Sequence, residues 1–129
     1  MDTFIRVLVV LDGMTFLLFA VSHAGITVPL GVMTLAEPRI VPAMIVEGLC
    51  GLGFVLSAMA LFTNREWAVP ATLVAHVLAL AGVLLGMAAL AAGRGPRTVT
   101  NDVYHRVMLV VLLVGIIIQV ILAWRQRLV

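Results

Sequence analysis

Four apolar stretches dominate this chain, each close to the length of a bilayer crossing and each separated from the next by turn-forming residues. A helix needs roughly 20 residues to span the hydrocarbon core. Thr3–His23, Val41–Phe62, Trp67–Ala92 and Val103–Trp124 all meet that length. Gly25, Pro29, Gly31, Pro38 and Pro42 punctuate the first connection, Asn64-Arg65-Glu66 forms a tight polar turn, and Gly93-Arg94-Gly95-Pro96-Arg97 stops the third helix. Thr100 or Asn101 is expected to cap the fourth. Trp67, Tyr104 and Trp124 fall at span ends, the depth that amphipathic rings prefer. The expected fold is all-α: an integral membrane four-helix bundle running up-down-up-down, one domain over residues 1–129.

Composition points the same way. Of 129 residues, 64% are apolar and 11% charged, and a soluble fold of this size has too little interior to hide that surface. A soluble globular enzyme, a disordered chain and a disulfide scaffold are excluded. The lone cysteine, Cys50, allows neither an internal disulfide nor a CxxC pair and reads as a small packing residue. The formal net charge is +2, from eight arginines against six acids. The arginines stand singly near segment ends and form no basic stripe, so no nucleic-acid partner is expected. Arg6, Arg65, Arg125 and Arg127 on the terminal side balance Arg39, Arg94, Arg97 and Arg106 on the other. The close flanking of the last span by Arg125 and Arg127 favours cytoplasmic termini in a multi-pass cell-membrane protein. The first span is expected to be retained rather than cleaved, because Asp12 interrupts its apolar run.

Ionisable groups inside a bilayer cost about 2.5–3.5 kcal/mol each on insertion scales and persist when paired, hydrated or functional. Here they are Asp12, His23, Glu47, His76 and His105, with Gln119 beside them. At about 1.5 Å per residue, Asp12 and His76 lie at equal depth, roughly 14 Å from the terminal side, so the two are expected to meet near the midplane. His23, Glu47, Asp102 and His105 lie toward the opposite side, with Tyr104 and Arg106 adjacent. Glu47 has Ala43, Met44, Cys50 and Gly51 at helical spacing, so its partner must come from another helix: His23, His105 or Arg106. Asp12 and His23 share a face with Phe16 and Phe19, and Asp102, His105, Leu109, Leu112, Ile116 and Gln119 are expected to share one on the fourth span.

Such groups serve either as interhelical glue, worth about 0.6–2 kcal/mol per hydrogen bond, or as a site. His23, Glu47 and His105 form a set found in zinc and non-haem iron centres, and His23 and His105 are conceivable axial haem ligands. No HxxxH or ExxH spacing supports a metal, so no cofactor is expected, with haem or a divalent metal left as the alternative. Acid–base chemistry on a lipophilic molecule suits the residue types better. Phe16, Phe19, Phe54, Met14 and Met44 are expected to wall the cavity, although such residues at helical spacing are commonly plain core. Ala71, Ala75, Ala79, Gly82 and Gly86 form a small-residue face for packing inside the bundle, or for a homodimer or heteromeric membrane partner.

The run Pro42-Ala43-Met44-Ile45-Val46-Glu47-Gly48-Leu49-Cys50-Gly51-Leu52-Gly53 resembles the proline-initiated, Glu-then-Gly-rich second helix of DoxX-like small membrane proteins. The first span, with Arg6 near its start and Phe16 and Phe19 near its end, is similar in outline. The resemblance implies four helices, a link to membrane redox, quinol or sulfur metabolism, partnership with soluble enzymes, and Glu47 as the carried-over position. His23, His76 and Asn101-Asp102-Val103-Tyr104-His105-Arg106 have no counterpart in that pattern.

The expected function is binding or acid–base conversion of a lipophilic small molecule (quinone-, isoprenoid- or polyketide-like) reached from the bilayer. Glu47 would exchange the proton, with His23 and His105 as partners and Asp12 and His76 as an orienting or second proton pair. Arg106 would contact an anion or oxyanion, and Asp102, Tyr104, Phe16, Phe19 and Phe54 would line the ligand. As an enzyme it would be a cofactor-independent isomerase-, cyclase- or hydrolase-like catalyst, or a redox-associated one. The alternatives are a non-catalytic accessory or anchoring subunit and a small proton-coupled transporter.

Overall fold

The computed structural model describes residues 3–127, with side-chain surroundings through residue 125. Arg127, counted above on the terminal side, therefore lies outside the described side chains. The helices are α1 (Thr3–His23), α2 (Val41–Phe62), α3 (Ala68–Ala91) and α4 (Val99–Arg127), with two short strands, β1 (Val28–Leu30) and β2 (Met33–Leu35), between α1 and α2. All four helices are long and apolar enough to cross a membrane, as a multi-pass membrane protein requires. Each packs on the next in the chain.

The polarity of the bundle is inverted relative to a soluble one. Asp12, His23, Glu47, His76 and Gln119 are buried, while Leu49, Leu78, Leu85 and Val110 face outward. In water this arrangement would expose the apolar surface and strand the polar groups. In hydrocarbon the outward leucines meet acyl chains, and the inward polar groups are kept away from lipid.

Small residues bring the helices close. The missing side chain of Gly51 is replaced by Leu17, whose Cγ stands 2.6 Å from where a Cβ would be. Ala75 and Ala79 are buried in α3, and the space beside Gly82 is taken by Val46 and Cys50 of α2. The small-residue stripe of α3 therefore packs within the bundle, and Cys50 packs there as a free thiol.

The helix ends follow from local chemistry. Gly93, with φ +70, turns α3 into a left-handed cap in which the Arg94 amide reaches back to the Ala89 carbonyl. Asn64, with φ 50, does the same after α2, and its Oδ1 accepts a hydrogen bond from Arg6 at 2.9 Å. Arg6 also lies over the Phe62 ring, tying the start of α1 to the α2–α3 turn.

Two features differ from the sequence reading. The cap of α4 is Thr98, not Thr100 or Asn101: its Oγ1 accepts from the Asn101 amide at 3.0 Å and donates to Glu37 Oε2 at 2.6 Å. The helix starts four residues earlier than expected because Thr98 finds this second partner in the α1–α2 connection. That connection is also not irregular throughout. β1 and β2 pair antiparallel with Leu30 opposite Met33, and the two-residue turn needs Gly31 at φ +72. The Glu37 amide donates to the buried Ser22 hydroxyl and the Ile40 amide to the His23 carbonyl, which fixes the connection over the end of α1.

Candidate functional site

Two acid–imidazole pairs occupy the interior, one at each expected depth. Toward the hairpin side, His23 Nδ1 and Glu47 Oε2 are 2.7 Å apart, joining the end of α1 to α2. That distance is typical of a charge-assisted hydrogen bond. At mid-depth, His76 Nε2 of α3 faces Asp12 Oδ2 of α1 at 3.4 Å. His76 Nδ1 donates to the Thr72 carbonyl at 2.8 Å. A carbonyl only accepts, so the Nδ1 proton is fixed; Nε2 and Asp12 Oδ2 approach each other without forming a hydrogen bond. Gln119 of α4 packs beside the His76 ring, its Nε2 donating to the Gly115 carbonyl. With the His76 Nδ1 proton held by Thr72, the 3.2 Å approach of Gln119 Nε2 to Nδ1 is a packing contact and not a hydrogen bond.

Between the two pairs lies an aromatic partition. Phe16 stacks on Phe54 at 5.8 Å, and the Phe54 and His76 rings meet perpendicular with centroids 4.9 Å apart. Phe19 stacks on Tyr104 at 3.7 Å. Phe54 and Phe19 thus pack behind the cavity, Phe16 alone of the three lines it, and Met14 points outward.

The cavity itself, about 380 Å³, opens between α2, α3 and α4. This is within the range of small-molecule sites. Its wall is mostly apolar, from Val46, Val83, Leu85, Leu90 and Phe16. Into it come Glu47, Asn101, Tyr104 and His105, with Arg94 at the rim. Asn101 Oδ1 is buried without a hydrogen-bond partner, as is His23 Nε2 behind Glu47, while the buried Tyr104 hydroxyl has the Glu47 carboxyl group beside it. Buried polar atoms are nearly always paired, so Asn101, which lines the cavity, has bonding capacity for a bound molecule, whereas His23 does not reach the cavity.

Not every expected residue converges here. His105 borders the cavity with Glu47, but its Nδ1 donates to the Asn101 carbonyl of its own helix at 2.8 Å, and its ring fills the notch at Gly86. Among the described residues no three His, Cys, Asp or Glu side chains stand close enough to hold a metal ion. Asp102 is paired with Arg97 at 3.1 Å on the outer surface, and Arg106 is exposed. The buried seam of α4 runs through Asn101, Tyr104, His105, Met108, Leu112, Gly115 and Gln119. It is rotated relative to the expected face, leaving Asp102, Leu109 and Ile116 on its flank. Arg94 and Asn101 take the place at the cavity expected of Arg106 and Asp102. Glu37, buried between α1 and α4, was not foreseen either. Its place between Ala36 and Pro38 in a connecting loop gave no burial signal.

Compared with family models, with curated proteins and with solved structures, the chain matches none of them.

Proposed function

We propose that this multi-pass protein resides in the cell membrane with cytoplasmic termini and its helices running up-down-up-down, and that it binds a lipophilic small molecule for acid–base conversion. A quinone-, isoprenoid- or polyketide-like body suits the apolar wall, and the resemblance of the α2 sequence to DoxX-like proteins, which implies a role for Glu47, is consistent with this reading. One observation carries it: the Glu47 carboxyl group, paired with His23, and the Tyr104 hydroxyl next to it converge on one otherwise apolar cavity. Glu47 exchanges a proton with the ligand, and His23 behind it balances the charge left on the carboxylate. The Tyr104 hydroxyl orients a ligand oxygen. His105, whose Nδ1 proton is held by the Asn101 carbonyl, has Nε2 as its remaining acceptor. The aromatic partition of Phe16 and Phe54 separates this site from the Asp12–His76 pair and speaks against a continuous proton path.

The test compares wild type with Glu47→Gln. Both are purified in a non-ionic detergent, extracted with organic solvent and examined by mass spectrometry. Glutamine can still accept from His23, so the variant is expected to run as a single folded species. It is expected to lose the lipophilic compound that wild type carries through purification. Equal amounts of that compound in the two proteins would remove Glu47 from the site.

A further inference from the structure

The charges around the cavity narrow the ligand class. We propose that the bound lipophile is an anion, with its acidic head on Arg94 at the rim and its chain running inward along α3. This rests on the cavity being a ligand site, as argued above.

The argument is one of charge elimination. Glu47 is matched by His23, Asp102 is matched by Arg97, and Glu37 receives the Thr98 hydroxyl beside the α4 N-terminus. Among the described residues Arg94 is the one charged side chain at the cavity that has no opposite charge. Its position is imposed by the backbone, because it stands between Gly93 and Gly95, at φ +70 and +135, where other residues are strained. It also follows directly on the end of α3, a membrane-spanning helix, and so sits at headgroup depth. From there the wall turns apolar through Leu90 and Val83, and Leu85, 64% exposed, opens it sideways toward lipid. A cation at the interface with an apolar slot leading inward matches the way a membrane amphiphile lies, head out and chain in. The Tyr104 hydroxyl and the Glu47 carboxyl group, side by side in the same cavity, then face a second oxygen on the chain.

The experiment uses the full chain in phosphatidylcholine nanodiscs and two photoreactive probes: a diazirine-bearing palmitic acid and the matching palmityl alcohol. Labelled peptides are located by mass spectrometry. The acid is expected to label the cavity segments, with oleate competing. Arg94→Gln is expected to weaken acid labelling about fivefold, the upper end for a solvent-reached ion pair, and to leave the alcohol unchanged. Arg94→Lys restores most of the loss, and Arg106→Gln has no effect. Competition by phosphatidylglycerol as strong as that by oleate would assign the acid head to a phospholipid. Stronger competition by oleate would assign it to a free single-chain acid. Equal labelling by acid and alcohol, or no change in Arg94→Gln, would overturn the anionic assignment while leaving the site intact. If neither probe labels the cavity segments of wild type, the site itself is refuted.

Discussion

Glu47→Ala is expected to destabilise the bundle by about 3–5 kcal/mol, read as a loss of apparent melting temperature in detergent. His23 is fully buried, and its Nε2 has no partner, so the bond to Glu47 is its one ring hydrogen bond. Removing the carboxyl group strands the whole ring. The 2.7 Å separation decides which magnitude applies. A neutral interhelical hydrogen bond in a membrane contributes only about 0.6–2 kcal/mol, but a charge-assisted pair that loses one member leaves a buried polar group uncompensated. The double replacement His23→Phe with Glu47→Leu is expected to recover most of the stability, because no polar atom is then left unpaired. A Glu47→Ala protein that melts like wild type would mean that the two side chains do not meet.

The second large effect is at Gly115. An alanine there would put its Cβ 2.6 Å from His76 Cδ2 and 2.7 Å from Nε2. His76 cannot retreat, being fully buried with Nδ1 held by Thr72 and the Phe54 ring perpendicular against it. Gly115→Ala is therefore expected to cost about 1–3 kcal/mol and to displace His76 from Asp12. In a His76→Ala background the ring is gone, and the same substitution is expected to cost little. Equal cost in both backgrounds would show that the Gly115 notch does not seat the imidazole.

The spans and the Asp12–His76 approach were legible because they depend on quantities that sequence spacing carries, whereas for Glu47 spacing left His23, His105 and Arg106 open as partners. Asp12 and His76 stand at equal depth from one side, so helix rise brings them together, and it puts Glu47 at the depth of both His23 and His105 without choosing between them. What depended on rotation was not legible. One residue is about 100° on a helix, enough to exchange Asp102 for Asn101 and to send Arg106 outward. The partner of His105 was hidden for a different reason. A backbone carbonyl four residues back is available to any helical histidine, and nothing in the side-chain pattern signals that it is used. Arg94 gave no signal because its direction is set by the positive φ angles of the glycines on either side. Strands of three residues, such as β1 and β2, are too short for a period to emerge, and Glu37 is buried by a loop whose path depends on Thr98 and Ser22.

The most direct test of the interior pairing is a solid-state NMR distance measurement on protein in lipid bilayers, with histidine labelled by 15N and glutamate by 13C. The expected result is strong dipolar coupling between one glutamate carboxyl carbon and one imidazole nitrogen, as the 2.7 Å bond between Glu47 and His23 requires, and its loss in Glu47→Gln. Spectra with no glutamate carboxyl carbon within about 4 Å of an imidazole nitrogen, the outer limit for an ion pair, would contradict the account.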